Sequence, residues 1–253
     1  SKIPQQKLDR LLSIPIISTI LKKTLRKKLG FGKARIIVSG AAPIPVSLLE
    51  WFKKIGIEIH EIYGMTENCG YSHGDHGKSF RLGTVGRPWA GVECRLGDEG
   101  EILIKHPGLM AGYFKDPETT VSVFTPDGFL KTGDKGTIDE DGFLTITGRL
   151  KDQFKTDKAK FIAPAHIEIK LLANKDIEQV CVVGSGIPQP IALIVLSAAA
   201  KGKTVGAVGD SLAYSLTEIN LSLENYERLA KAVILKEDWT IENGLMTPSL
   251  KVK

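Results

Sequence analysis

The chain has no run of about 18 uncharged apolar residues, which argues against a transmembrane helix. It also lacks the succession of basic, apolar and small residues that marks a signal peptide, so a bacterial-type cytoplasmic setting is expected. Cysteine is scarce. Cys69, Cys94 and Cys181 are isolated and odd in number, without the paired spacing of a zinc site or a disulfide framework, and read as reduced thiols. No histidine partner is indicated locally for any of them, so none is assigned as a nucleophile. Aromatic residues do not interleave with basic ones and no nucleic-acid-binding module is recognisable, which excludes nucleic acid as an expected partner. Internal repeats and low-complexity tracts are absent as well.

What is present is enough apolar residue, 42% of 253, to bury a sizeable core in one or two domains. The net charge of +5 is unevenly placed. Residues 1–30 hold eight Lys and Arg against Asp9 alone, so this stretch carries +7 and the remaining 223 residues sum to −2. Leu8, Leu11, Leu12, Ile16, Ile20, Leu21 and Leu25 recur there at roughly helical spacing, with Pro15 dividing two helices. Such helices either pack their apolar faces on a core or lie on an anionic membrane surface as a peripheral contact at its inner face.

From Arg35 the pattern becomes a βαβ unit, about residues 35–67. Arg35 to Val38 reads as a strand, Val46 to Ile55 as a helix and Ile57 to Ile62 as the next strand, with Gly40, Pro43 and Gly56 at the turns. Sites in open parallel sheets form beyond strand ends, and both Ser39-Gly40-Ala41-Ala42-Pro43 and Tyr63-Gly64-Met65-Thr66-Glu67 fall there. Residues 83–149 read as short strands between turns, a small β-barrel-like part. After Lys151 the sequence predicts a separate α+β domain over 152–253, with helices at Ala163–Ala173 and Leu221–Ala230 and strands at Ile177–Val183 and Ile191–Leu196. The expected class is α/β with a β-barrel subdomain and a C-terminal α+β domain, the larger domain covering 1–150.

A hydroxyl beside a carboxylate in Tyr63-Gly64-Met65-Thr66-Glu67 is followed by Asp134 in Thr132-Gly133-Asp134-Lys135-Gly136. Arg149 then stands in Gly148-Arg149-Leu150-Lys151-Asp152, and a late lysine ends Thr247-Pro248-Ser249-Leu250-Lys251. These are the groups needed to hold ATP and a carboxylate while charge develops on phosphate. In order and spacing they resemble the acyl-adenylate-forming (AMP-binding) superfamily, most like the C-terminal portion of a long-chain fatty acyl-CoA synthetase. The resemblance implies an ATP-dependent ligase that makes acyl-AMP from a fatty acid or other carboxylate and passes the acyl group to coenzyme A.

It also implies roles for residues. Tyr63 would face adenine beside the loop Gly40, Ala41, Ala42 and Pro43; Gly64 would shape the turn; Thr66 would reach the α-phosphate, and Glu67 would bind Mg²⁺. Asp134 would take the ribose hydroxyls and Arg149 would add a cation near ribose and phosphate. Lys151 would be the hinge of a mobile C-terminal domain. In one pose Lys251 would reach the carboxylate and α-phosphate; in the other Lys155 would face the site of thioester formation.

Two departures qualify the resemblance. The Ser/Thr/Gly-rich phosphate loop is absent from these residues, so the chain is expected to be the C-terminal part of a longer, N-terminally truncated protein and inactive alone. Lys158-Ala159 stands where relatives of the long-chain type carry two glycines, which puts the coenzyme A step in question. The alternatives are an adenylating enzyme that loads a carrier protein or releases acyl-AMP, and a non-catalytic nucleotide-binding module.

Overall fold

The periodic leucines at the start of the chain form helices α1 (Gln5–Leu12) and α2 (Pro15–Lys28), the second opening on a proline whose missing N–H costs nothing in a first turn. This computed structural model describes residues 5–75, 80–247 and 252. Arg26, Lys27 and Lys28 close α2, where cations suit the negative end of the helix dipole. Part of the apolar face of this stretch packs on a core. Leu12 and Leu25 sit against a core of Leu49, Ile55, Ile57 and Ile59, whereas Ile16 and Ile20 stay 76% and 63% exposed.

The βαβ unit forms with shorter strands than expected. Strand β1 (Val38–Ser39) pairs in parallel with β2 (His60–Glu61) across helix α3 (Val46–Lys54), with Val38 opposite His60 and Ser39 opposite Glu61. Only these residues complete a ladder, because β1 has no second neighbour among the described residues and Ile36 is 75% exposed. Strands β3 (His73–Gly74) and β4 (Arg87–Pro88) then pair antiparallel, and Tyr63 bridges to His73 by reciprocal backbone hydrogen bonds of 3.0 Å.

Strands β5 (Glu93–Leu96), β6 (Glu101–Lys105), β7 (Leu130–Ile138) and β8 (Leu144–Arg149) form a four-stranded sheet in chain order, the half-barrel, with the short helix α4 (Pro117–Ser122) between β6 and β7. Burial alternates along β7, so Leu130, Thr132, Asp134 and Gly136 share one face. The expected turns are in place. The Gly142 amide donates to Asp139 and the Gly128 amide to Thr125.

The C-terminal part begins with the hairpin β9 (Phe154–Lys155) and β10 (Phe161–Ile162), followed by helix α5 (Pro164–Leu171). Strands β11 (Ile177–Val183) and β12 (Ile191–Leu196) match the expected ranges. Helices α6 (Ala198–Lys201) and α7 (Val205–Leu221) lead to strand β13 (Lys231–Ile234). Central β12 is antiparallel to β11 and parallel to β13, and its inward side shares a core with α5 and α7 built from Ile167, Leu171, Ile194, Val208 and Leu212.

The helix expected over 221–230 is not there. The helix ends at Leu221, having started where the Thr204 hydroxyl accepts the Ala207 amide, and Val208, Leu212 and Ile219 supply the buried stripe. Residues after it are held instead by Asn220, whose side chain donates to the Leu229 carbonyl and accepts the Leu229 amide.

Packing divides the chain into two compact units. The first is Ser1–Glu93 with Ile104–Val121 and Ile138–Thr145; the second is Cys94–Leu103 with Ser122–Thr137 and Ile146–Lys253. Among the described residues no helix is long and apolar enough to cross a membrane.

Glycine is indispensable at two close approaches in the first unit. A Cβ on Gly64 would stand 2.5 Å from the Gly70 backbone, and one on Gly86, at φ +79°, would stand 2.3 Å from the Gly74 backbone. Substituting Gly64→Ala is expected to destabilise the chain on the order of 2–4 kcal/mol. Gly209→Ala, in α7 with nothing within 4 Å of the added methyl, should instead stabilise it by about 0.5–1 kcal/mol. Urea unfolding of both variants checks the pair; a neutral Gly64→Ala would show that the 64–70 approach relaxes.

Candidate active site

In the first unit two loops leave neighbouring parallel strands. The Ile62 amide donates to the Ser39 carbonyl at 2.9 Å, so Gly40–Pro43 starts beside Tyr63–Glu67. A methyl on Gly40 would lie 3.1 Å from the Ile62 carbonyl oxygen, and Ala41 takes φ +67°. Small residues therefore suit the space between the two turns. Tyr63 is half-buried, its ring centroid 6.1 Å from that of His73. Burial lowers the His73 imidazole to about 4, which keeps it neutral near pH 7, and its Nδ1 lies 2.8 Å from the buried Ser72 hydroxyl.

Thr66, Glu67 and Asn68 make one 3₁₀ turn. Its shape is set by Asn68, fully buried, whose Oδ1 accepts the Met65 amide at 2.9 Å. Cys69 follows in the left-handed region at φ +55°. Thr66 is left exposed and Glu67 half-buried. Glu67 is gripped at both ends: its carbonyl accepts the Met110 amide at 2.8 Å, and its Oε1 accepts the Tyr113 hydroxyl at 2.9 Å. The phenol is raised above its usual range by burial and by this carboxylate, so Tyr113 remains a donor. In turn the Thr120 hydroxyl accepts the Tyr113 amide at 2.8 Å.

A single hard carboxylate on an open turn fits Mg²⁺, which commonly takes one or two protein carboxylates and completes its shell with water and substrate phosphates. No cluster of three or more potential ligands occurs among the described residues, so a site wholly built from protein is not offered there.

In the second unit, adjacent strands β7 and β8 bring Asp134 and Arg149 together. Arg149 Nε donates to Asp134 Oδ1 at 2.9 Å, from a half-exposed guanidinium to a carboxylate that is 9% exposed. The position of Asp134 is fixed from its own strand, because the Asp134 amide donates to the Thr132 hydroxyl, which donates onward to the Ile102 carbonyl at 2.8 Å. Glu101 accepts the Gly133 amide at 3.0 Å, and the Leu150 amide donates to the Gly133 carbonyl. The pair can offer an anchored acceptor and a permanent cation to one ligand.

Lys151 lies exposed in the turn after β8. Lys155 stands on β9 with its ammonium 4.6 Å from the Phe161 ring centroid, a cation–π contact across the hairpin. Between them on the hairpin loop, Ala159 takes φ +56° and donates its amide to Thr156. The backbone thus keeps a glycine-type shape while carrying a methyl group. Lys251 falls outside the described residues; the ends of its segment are marked by a bridge from Met246 to Val252.

Tyr113, which bonds Glu67, is not among the candidate residues read from the sequence. The adjoining Gly112, at φ +147° and within 2.7 Å of Thr120 for an added methyl, was the available signal that this segment is sharply bent.

The profile of the AMP-binding enzyme family matches residues 10–114, and that of the AMP-binding enzyme C-terminal domain matches residues 151–243. The long-chain-fatty-acid–CoA ligase FadD15 of Mycobacterium bovis is 36% identical over 94% of this chain, and long-chain-fatty-acid–CoA ligase 5 of Mus musculus is 34% identical over 88%. The chain spans 42% and 37% of these two relatives. Among solved structures, the A-PCP didomain of carboxylic acid reductase from Segniliparus rugosus in complex with AMP superposes with a TM-score of 0.71 at 27% identity, covering 98% of this chain and 37% of that one. With two family profiles covering its two ends and the site motifs folded as described, the chain belongs to the AMP-binding enzyme family.

Proposed function

We propose that the chain is the C-terminal portion of an ATP-dependent acid–thiol ligase that activates a long-chain fatty acid and transfers it to coenzyme A. The observation that carries this reading is the Asp134–Arg149 pair, an acceptor fixed by its own strand beside a permanent cation. Relatives named as long-chain-fatty-acid–CoA ligases support the choice of acid and thiol. In the first step the fatty carboxylate attacks the α-phosphorus of ATP, the bond to the bridging oxygen breaks, and pyrophosphate leaves. In the second, a thiolate attacks the acyl carbon and AMP departs.

In this reading Asp134 accepts from the ribose hydroxyls, Arg149 offsets charge near ribose and phosphate, and Tyr63 faces adenine beside Gly40, Ala41, Ala42 and Pro43. Gly64 keeps the turn tight enough for Thr66 to reach the α-phosphate. Glu67 would hold Mg²⁺, which supplies charge neutralisation to the triphosphate when bound. Lys251 contributes a cation to the transferring group, and Lys155 serves the thioester step. Residues 1–150 and 152–253 act as domains that change pose about Lys151. The exposed Ile16 and Ile20, with the basic end of α2, provide a peripheral contact with the inner face of an anionic membrane, in a protein otherwise in the cytoplasm.

One observation bears on the thiol-transfer step. The Ala159 methyl and the Lys158 side chain occupy a loop whose backbone has a glycine-type φ. Ala159→Gly is therefore expected to relieve about 1 kcal/mol of strain by thermal or urea unfolding, and in the intact protein to raise the rate of acyl-CoA formation without changing acyl-AMP formation. Acyl-AMP that accumulates equally with and without coenzyme A would reject the CoA-ligase assignment.

For the nucleotide site, Asp134→Ala in the intact protein is expected to weaken AMP binding by about tenfold or more, measured by calorimetry. Binding at wild-type strength would remove Asp134 from the site.

A further inference from the structure

We propose that Tyr113 sets the cation selectivity of Glu67: its phenol engages one carboxylate oxygen, so that Glu67 binds a cation through the other and favours Mg²⁺ over Ca²⁺. The inference rests on the reading of Glu67 as the residue that would hold Mg²⁺, and it concerns what that carboxylate selects.

Backbone brings the two residues together before their side chains meet. The Glu67 carbonyl accepts the Met110 amide at 2.8 Å, which lays the segment after β6 along the turn of Thr66, Glu67 and Asn68. Both segments belong to the first compact unit. Residues 112–120 then fold into a tight turn that holds Tyr113 independently of Glu67. The Tyr113 amide donates to the Thr120 hydroxyl at 2.8 Å, that hydroxyl donates to the Asp116 carbonyl at 2.7 Å, and the Asp116 amide returns to the Tyr113 carbonyl at 3.2 Å. Gly112 at φ +147° and Lys115 at φ +56° make the reversal sharp. The phenol that reaches Glu67 is thus carried on backbone fixed by its own turn.

An ionised carboxylate binds a cation with both oxygens or with one. Here Oε1 accepts the Tyr113 hydroxyl at 2.9 Å, and no further hydrogen bond holds Oε2 among the described residues. A phenol is protonated at neutral pH, so it donates; the donated proton weakens Oε1 as a metal donor and orients the carboxylate. Chelation through both oxygens has to break this bond, whereas binding through Oε2 alone keeps it. Ca²⁺ collects about six to eight oxygens at longer distances and often takes a carboxylate by both of them. Mg²⁺ demands near-octahedral geometry at short distances, retains several waters and leaves little room for a two-oxygen bite. The hydrogen bond therefore penalises Ca²⁺ and spares Mg²⁺. The neighbouring carboxylate of the same turn, Asp116, accepts the Thr119 amide on Oδ1 at 3.0 Å, and the described residues form no cluster of three or more potential ligands to supply the extra oxygens.

Mn²⁺ reports the competition directly, because its free-ion electron paramagnetic resonance signal is lost on binding. The intact protein is loaded with Mn²⁺ and the non-reacting analogue α,β-methylene-ATP, and Ca²⁺ or Mg²⁺ is added to displace the Mn²⁺. In Tyr113→Phe, Ca²⁺ is expected to displace Mn²⁺ at roughly fivefold lower concentration than in the wild type, with displacement by Mg²⁺ unchanged. Both proteins receive the same nucleotide, so a change in the ratio belongs to the protein. A merely structural role weakens every cation together, and an unchanged Ca²⁺-to-Mg²⁺ ratio overturns the proposal. Infrared difference spectra of the wild type with and without Mg²⁺, the Glu67 bands being identified by their loss in Glu67→Gln, supply an arm that holds even if Tyr113→Phe fails to fold. Carboxylate stretches split more widely than in the free ion denote one-oxygen binding; a narrower splitting denotes chelation and overturns the proposal. If Glu67→Gln holds Mn²⁺ and nucleotide as tightly as the wild type, the reading of Glu67 as the Mg²⁺ ligand fails and the selectivity falls with it. If Glu67 is required and the ratio does not move, only the role of Tyr113 is lost.

Discussion

The turn after β2 depends on backbone lying directly on backbone. Gly64 faces the Gly70 main chain and Gly86 faces that of Gly74 at distances no side chain can occupy. Closing these two contacts folds the segment 63–75 back on itself, with Tyr63 bridged to His73 and Asn68 buried inside to hold Met65. Thr66 and Glu67 are presented outward as a result. A looser turn would leave Glu67 without its fixed relation to Met110 and Tyr113, and the exposed hydroxyl without a defined direction. The site therefore rests on absent side chains as much as on present ones.

The Asp134–Arg149 pair is built on a different principle. Here regular pairing of long strands supplies precision, and the alternation of β7 turns Asp134 inward while Arg149, near the end of β8, remains half-exposed. An ion pair with one screened and one shielded member contributes modestly to stability. Its value is geometric: Thr132 and Glu101 hold the strand carrying Asp134, so the carboxylate needs little reorganisation to meet a ligand.

Strands β11 and β12 and helix α3 were readable because their burial follows directly from local composition, with β-branched Ile177, Val180 and Val182 at the buried positions of β11, a continuous apolar run in β12 and a helical apolar stripe in α3. Helix α7 was not. Gly206, Gly209 and several Ser and Thr lower its intrinsic propensity, and the Thr204 cap with burial of Val208, Leu212 and Ile219 overrides that weakness. Motif spacing singled out Thr66, Glu67, Asp134 and Arg149 as candidates, but Tyr113 left no comparable mark. Tyr113 answers a carboxylate far back in the chain. Sequence periodicity records which face is buried; it does not record which distant backbone arrives there.

The parallel pairing of β12 with β13 has a consequence for the order in which the C-terminal part assembles. Antiparallel β11 and β12 are joined by a short connection and can zip early, but β13 reaches its place only after the chain has passed through α6 and α7. Docking of β13 is thus the late event. Until it occurs, the edge of β12 is unpaired, and a nascent or partly unfolded chain would offer a template for adding a foreign strand at that place.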